Sequence, residues 1–164
     1  RLGRSVFDGG GITPDLIVPA RSYSRPAYSL VYNDILGDYA IEYFKKNLSI
    51  APAAEFHLTD GEYEDFIRYA GTREFDIRSS AESALDQLIK AAKQDGLYDV
   101  YKSEIDALSA RIKVDKETML RIKKEEIVPL LEEEILVKYY LRGSEYNIRL
   151  RDDQGLYQAL DRWK

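Results

Sequence analysis

A run of three glycines near the start of the chain is the first stretch whose residue types could do chemistry. Residues 7–15 read FDGGGITPD, and glycine-rich loops cradle phosphates in many nucleotide-binding proteins. A P-loop ends in Gly-Lys-Ser/Thr, and that sequence is absent after Gly11. The dinucleotide-binding fingerprint needs a different glycine spacing, and Pro14 stands where its helix would begin. We therefore interpret these glycines as a turn or bulge between strands.

His57 is the only histidine of the chain, and there is no cysteine. The lack of cysteine excludes disulfides, thiolate zinc sites and cysteine nucleophiles, and a single histidine excludes a multi-histidine metal site. His57 lies in a predicted connection between helices, where no neighbouring residue offers the nucleophile that a general base requires. We interpret it as a surface or packing residue.

Two acidic clusters could suggest cation binding. They comprise Asp60, Glu62, Glu64 and Asp65, and further along Asp152 with Asp153. Neither cluster has the alternating oxygen ligands, central glycine and distant glutamate of an EF-hand. Both stand where a helix is predicted to begin, and acidic residues there complement the helix dipole. The sequence therefore predicts no catalytic, cofactor-binding or metal-binding residue in this chain.

The net charge and the length of the chain limit the classes of protein to which it can belong. The chain has 164 residues and a net charge of −5, and this acidic balance argues against a nucleic-acid surface. Hydrophobic residues make up 45% and charged residues 32%, which is typical of a chain that folds in water. There is no N-terminal Met and no signal peptide, so we expect a piece of a longer protein or a processed product. Thirteen tyrosines suit surfaces that are half apolar and half wet, including interdomain contacts.

The sequence predicts a mainly helical domain that is preceded by a short β segment. Residues 4–7 and 16–18 are β-prone runs on either side of the glycine turn, and residues 21–26 read as a linker. From residue 27 onward apolar residues recur every three or four positions, which predicts a first helix ending near Asn47. Its single apolar stripe comprises Tyr28, Val31, Tyr32, Ile35, Leu36, Tyr39 and Tyr43.

Local signals predict the next helices. Two sites fit the capping-box pattern of a hydroxyl residue followed three positions later by a glutamate: Thr59 with Glu62, and Ser79 with Glu82. Gly96 is placed to end the helix that the second box begins. Apolar residues within 98–112 alternate steps of three and four, which suits an antiparallel helical neighbour. The two helices on either side of Gly96 are therefore predicted to form a helical hairpin.

One long kinked helix is predicted after the hairpin. Asp115 caps it, and it runs to about Arg142 and stops at Gly143. Pro129 interrupts it by removing a backbone hydrogen bond, so we expect a kink near Ile127. A last short helix carries Leu156, Ala159, Leu160 and Trp163.

The opening stretch, residues 3–16 with the sequence GRSVFDGGGITPDL, resembles a known protein family. It is similar to the closing motif of the peptidase domain in carboxy-terminal processing peptidases, also called tail-specific proteases. In that family Gly-Arg is followed after a few residues by Gly-Gly-Ile-x-Pro-Asp and a hydrophobic strand. The match covers about residues 3–18. Residues 38–40 and 127–140 are similar to the helical tail of some bacterial members, including those of Bacteroidetes.

The resemblance implies a parent serine endopeptidase of the cell envelope or periplasm that cleaves proteins near their C-terminal tails. Its Ser nucleophile and Lys base lie upstream of the matched motif, so no residue of this chain inherits a catalytic role. The chain alone is expected to be inactive and to need no cofactor. Residues 1–24 would be the end of the peptidase domain and a linker, and residues 25–164 a helical C-terminal domain.

The expected partners follow from the same resemblance. They are the upstream peptidase and PDZ domains of the same protein and, through the parent, unfolded protein substrates. A homodimer is left open, whereas nucleic acid and a membrane span are not expected. Within the parent peptidase the domain would have a structural, substrate-access or oligomerisation role. The alternatives are an independent helical module that binds another protein through its tyrosine-rich faces, and a small enzyme using the glycine loop, which the motif analysis disfavours.

Overall fold

The structure, a computed structural model, describes residues 22–140, 143–151 and 153–162. In this part of the chain nine helices form and no strand is present. They are α1 Arg25–Tyr32, α2 Ile35–Lys46, α3 Asp60–Gly71, α4 Ser80–Gln94, α5 Tyr98–Ile112, α6 Lys116–Ile122, α7 Lys124–Tyr140, α8 Glu145–Arg151 and α9 Gln154–Arg162. The predicted mainly helical fold is confirmed. The predicted β segment, residues 4–7 and 16–18, lies outside the described residues, as does Trp163.

The predicted helix starts are confirmed by their hydrogen bonds. At α3 the Thr59 hydroxyl accepts from the Glu62 amide at 3.3 Å, while the Glu62 carboxylate accepts from the Thr59 amide at 2.8 Å. Ser79 and Glu82 repeat this capping box at α4, with distances of 3.1 and 3.2 Å. Asp115 caps α6 by accepting, at 2.9 Å, from the amide three residues further on. These caps satisfy amides that have no partner inside the helix.

The predicted first helix is in fact two helices, and this prediction was wrong. The chain turns at Asn33 and Asp34, where Asp34 takes a left-handed conformation with φ of 55°. At this end of α1 the Ser29 carbonyl accepts from both the amide and the side chain of Asn33, at 3.0 and 2.8 Å. The Asp34 side chain then covers Gly37, where a β-carbon would lie 2.4 Å from Asp34 Oδ1.

The turn also divides the predicted apolar stripe. Its second half is buried, whereas Tyr28, Val31 and Tyr32 on α1 are exposed. In the sequence the apolar spacing continues through Asn33 and Asp34. These apolar residues nevertheless do not form one helix face, because the left-handed conformation of Asp34 changes the direction of the chain.

The predicted long helix is divided at Lys123 into α6 and α7, and the kink predicted near Ile127 stays a prediction. The Lys123 carbonyl accepts from the amides of Glu126 at 3.1 Å and Ile127 at 3.0 Å, and this begins α7. Pro129 lies in the second turn of α7, where the amide that it lacks would have bonded the Glu125 carbonyl. α7 continues across Pro129 to Tyr140.

The main core lies where α2 packs on α7, with α1, α3, α6 and α8 completing it. Tyr63 is buried there, and its hydroxyl donates to the Leu120 carbonyl at 2.8 Å. The rings of Tyr39 and Phe66 meet edge to face with centroids 5.2 Å apart. Its buried residues from the later helices are Leu120, Ile127, Leu131, Ile135, Leu136 and Ile148.

The predicted helical hairpin is formed by α4 and α5, which pack mainly on each other. Gly96 turns the chain between them with φ of 70°, a conformation that side chains disfavour. Leu85, Ala92 and Ile105 form a second buried cluster, separate from the main core. The hairpin therefore carries its own small core.

Candidate functional site

His57 lies in the connection between α2 and α3, and its ring is largely exposed. Its Nδ1 is 3.9 Å from Glu132 Oε1, and its Nε2 is 3.4 Å from Arg151 Nη1. The ring thus contacts a carboxylate and a guanidinium, neither of which is a nucleophile that the imidazole could activate. This placement agrees with the interpretation of His57 as a surface or packing residue.

We call the described helices other than α4 and α5 the main body. The Glu132 carboxylate is buried inside this main body, and the sequence did not indicate its burial. Its Oε1 accepts from the Leu58 amide at 2.8 Å, and its Oε2 accepts from Arg151 Nη2 at 2.6 Å. Arg151 Nη1 in turn donates to the Phe56 carbonyl at 3.1 Å. Such charge-assisted bonds join α7, α8 and the segment before α3, so the cluster holds the body together. In the sequence Glu132 is the first of three consecutive glutamates in α7, so its residue type did not distinguish it from its more exposed neighbours.

The first acidic cluster forms separate ion pairs and caps. Glu64 pairs with Arg121 at 2.8 Å, Asp60 pairs with Lys124 at 2.5 Å, and Asp65 pairs with Arg68. Glu62 serves the capping box of α3 and also accepts from the Tyr43 hydroxyl at 2.5 Å. Among the residues that the structure describes, no group of three His, Asp or Glu side chains is arranged to hold a metal ion.

The second acidic cluster is described only in part. Asp152 lies outside the described residues. The Asp153 carboxylate accepts from the Leu156 amide at 3.0 Å at the start of α9, which agrees with its interpretation as a helix cap.

A groove at the base of the hairpin is the concave site that the structure adds. It encloses about 470 Å³, within the range of small-ligand pockets. The groove lies between the hairpin and the segments that lead into and out of it. Its apolar lining comprises Ile77, Leu85, Ile89, Ile112 and Val114, and its polar lining Arg78, Glu82, Asp86, Ser109 and Lys113.

The charges at the groove differ in how they are partnered. Arg78 pairs with Asp76 at 3.1 Å, and the hydrogen bonds from Arg78 lower the pKa of that carboxyl. Glu82 is held in the capping box of α4. Within the described residues, neither Lys113 nor Asp86 forms an ion pair. The hydrogen bond to Asp76 raises the pKa of the Arg78 guanidinium and Asp86 adds to this rise, so the Asp86 charge already interacts with another residue of the groove. Lys113 is the charge at the groove that remains for a ligand.

The sequence predicted the hairpin but not this groove. Ile77 and Arg78 precede the capping box, and Lys113 and Val114 follow α5. These two segments lie close together because α5 runs back along α4 and ends near the start of α4.

Comparison with protein families gives a match over residues 26–162. The matching family is described as "Probable PDZ-protease, C-terminal helical domain". The chain belongs to this family. The match covers most of the C-terminal helical domain, and it confirms the sequence-based identification as a C-terminal part of a processing peptidase. No match was found among curated proteins, and none among solved structures.

The match begins one residue after the start of α1. The division into residues 1–24 and 25–164 stays a prediction, and the glycine-rich stretch lies outside both the match and the described residues. None of the helices in the described residues is long and apolar enough to cross a membrane.

Proposed function

We propose that this helical domain is the non-catalytic C-terminal part of a cell-envelope serine endopeptidase that cleaves proteins near their C-terminal tails. Within that enzyme it serves substrate access, with the α4–α5 hairpin holding segments of unfolded polypeptide for the peptidase domain.

Two observations support a parent peptidase of this kind. The family description names a probable PDZ-protease, and residues 3–16 resemble the closing motif of carboxy-terminal processing peptidases. The resemblance implies a Ser nucleophile and a Lys base in the upstream domain. Such a lysine must be neutral to take the proton of the serine, so burial must lower its pKa.

The hairpin groove is the observation that carries the substrate-access role. Its apolar lining suits one or two apolar side chains of an extended segment, which a folded substrate keeps in its own core. Lys113 gives the groove one positive charge for the flanking residues of such a segment.

Tethering makes weak binding sufficient for this role. A segment held by the groove stays within reach of a peptidase domain in the same polypeptide, which raises its effective concentration there. The hairpin would thereby lower KM for long unfolded substrates and leave the chemical step unchanged.

The experiment compares two substrates of the full-length protein that carries this domain. Ile77→Ser combined with Val114→Ser makes two of the five apolar lining residues polar without altering the buried cluster of the hairpin. We expect KM for casein to rise several-fold, whereas kcat/KM for a short peptide stays unchanged. Val100→Ser combined with Leu108→Ser is the matched control, because these exposed residues lie outside the groove. Equal loss on both substrates, or no loss on casein, would refute the substrate-access role.

A further inference from the structure

α1 carries an aromatic face that no other helix of the described residues covers. Tyr28, Val31 and Tyr32 lie on one side of this helix with 63%, 51% and 77% of their surface exposed. We call these three residues the α1 outer face. The two tyrosine rings stack against each other, with centroids 6.1 Å apart and planes inclined by 19°. They present a flat apolar surface edged by two hydroxyl groups.

The opposite side of α1 is firmly held by the rest of the domain. Ala27 and Leu30 are fully buried in the main core. The Ser29 hydroxyl accepts from the Asp76 amide at 2.9 Å, and the Ser24 amide donates to the Glu126 carboxylate. The outer face is therefore presented in a fixed orientation, which lowers the entropy lost when another surface docks on it.

The position of α1 in the chain indicates what docks there. The family is a C-terminal domain, its match begins at residue 26, and α1 begins at Arg25. The upstream part of the same polypeptide is thus joined to the domain through the residues that precede this helix. Covalent attachment gives the upstream part a high effective concentration at the α1 outer face.

We propose that the α1 outer face is the surface on which the upstream part of the same protein docks. The chemistry that fits is an apolar surface with polar groups placed opposite two phenol hydroxyls, since tyrosine combines an apolar body with a polar tip. Aromatic side chains contribute roughly 150–250 Å² each, so this face supplies a substantial share of an interdomain contact of about 600–1,500 Å².

Tyrosine modification tests the docking without any substitution. In the 164-residue chain, acetylation by N-acetylimidazole should reach Tyr28, Tyr32 and Tyr101 at similar rates, because all three are exposed. In the full-length protein, Tyr28 and Tyr32 should react several-fold more slowly. Tyr101, on the hairpin, is the internal control and should keep its rate.

A variant tests whether the face holds the two parts together. Tyr28→Ala, Val31→Ala and Tyr32→Ala in the full-length protein should increase the radius of gyration in solution scattering. Val100→Ala with Tyr101→Ala is the control and should not. In the 164-residue chain the α1 variant should shift Tm by no more than about 2 °C, because exposed side chains contribute little to stability.

Several results would overturn the proposal. One is equal reactivity of Tyr28 and Tyr32 in the full-length protein and in the 164-residue chain. Another is protection that appears only when the 164-residue chain is concentrated, which would assign the face to a second copy. Protection that appears only on addition of casein would assign it to substrate. These readouts report domain arrangement, so they are independent of the groove and its effect on KM.

Discussion

The buried carboxylate of Glu132 accepts a hydrogen bond from the Arg151 guanidinium at 2.6 Å, across 19 residues of sequence. The same carboxylate accepts from the Leu58 amide at 2.8 Å, so one side chain connects three segments of the chain. Because Glu132 is almost fully buried, its charge depends on these partners rather than on water. The attachment of α8 to the body therefore includes a buried ion pair.

We expect the loss of Arg151 to destabilise the body strongly. Arg151→Ala leaves the Glu132 charge buried with one donor fewer, and should lower the free energy of unfolding by about 2–3 kcal/mol. This lies at or below the usual range for a broken buried pair, because Arg151 is partly exposed. Urea unfolding of the 164-residue chain measures the loss.

Two variants serve as controls for this prediction. Arg68→Ala removes a guanidinium from its pair with Asp65, in which both side chains are largely exposed, and should cost no more than about 1 kcal/mol. Glu132→Leu combined with Arg151→Leu removes both charges and should recover much of the stability, since apolar replacements of a buried pair are often tolerated. An Arg151→Ala variant as stable as Arg68→Ala would contradict the structural role of the pair.

The capping box of α3 should make stability depend on acidic pH. Burial raises the pKa of Glu62, but hydrogen bonds from the Thr59 and Tyr43 hydroxyls and the Thr59 amide outweigh it and place the pKa below its ordinary value of 4.5. A carboxyl whose pKa is lowered by folding stabilises the protein above its unfolded pKa. That contribution is lost as the pH falls through the folded value.

We therefore expect Tm to fall as the pH drops from about 5 toward 3, and Glu62→Gln to make this fall shallower. Calorimetry across this pH range measures both chains. Glu74→Gln, the same change at an exposed position, is the control and should retain the wild-type slope. An identical pH dependence in wild type and Glu62→Gln would show that this carboxyl is not linked to folding.

Gly96 should be the residue on which the hairpin turn depends. Its φ of 70° disfavours any side chain, although a β-carbon there would meet no atom within 4 Å. Gly96→Ala should therefore cost about 1–2 kcal/mol through backbone strain alone. Hydrogen exchange of α4 and α5 should become faster than that of the main body.

Gly71 provides the matched control for this substitution. It ends α3, a β-carbon added to it would likewise meet no atom within 4 Å, and it does not have a positive φ. Gly71→Ala should leave stability unchanged or raise it by up to about 1 kcal/mol. Equal effects of the two alanines would argue against strain as the cause.

The main body should remain folded without the hairpin. None of the buried residues of the main core belongs to α4 or α5. A chain in which a short Gly-Ser linker replaces residues 80–112 should keep a single cooperative thermal transition, with a smaller urea m-value because less surface is exposed on unfolding. Loss of that transition would show that the hairpin is integral to the body.

The sequence by itself determined the features that depend on neighbours a few residues away. Thr59 and Ser79 have their capping partners three positions later in the chain. The turn between α4 and α5 requires Gly96 for its local backbone conformation, independently of how the hairpin is oriented. The helical class follows from these signals and from apolar periodicity. The family identification also came from a short contiguous motif, residues 3–16.

Only the tertiary structure decided which of these surfaces are buried. Tyr28 and Tyr39 share one sequence periodicity, yet Asp34 turns the chain so that the first is exposed and the second is packed against Phe66. Glu132 is buried because Arg151 and the Leu58 amide reach it from distant segments. Burial is a property of long-range packing, and a local pattern cannot specify which distant element will cover a given face.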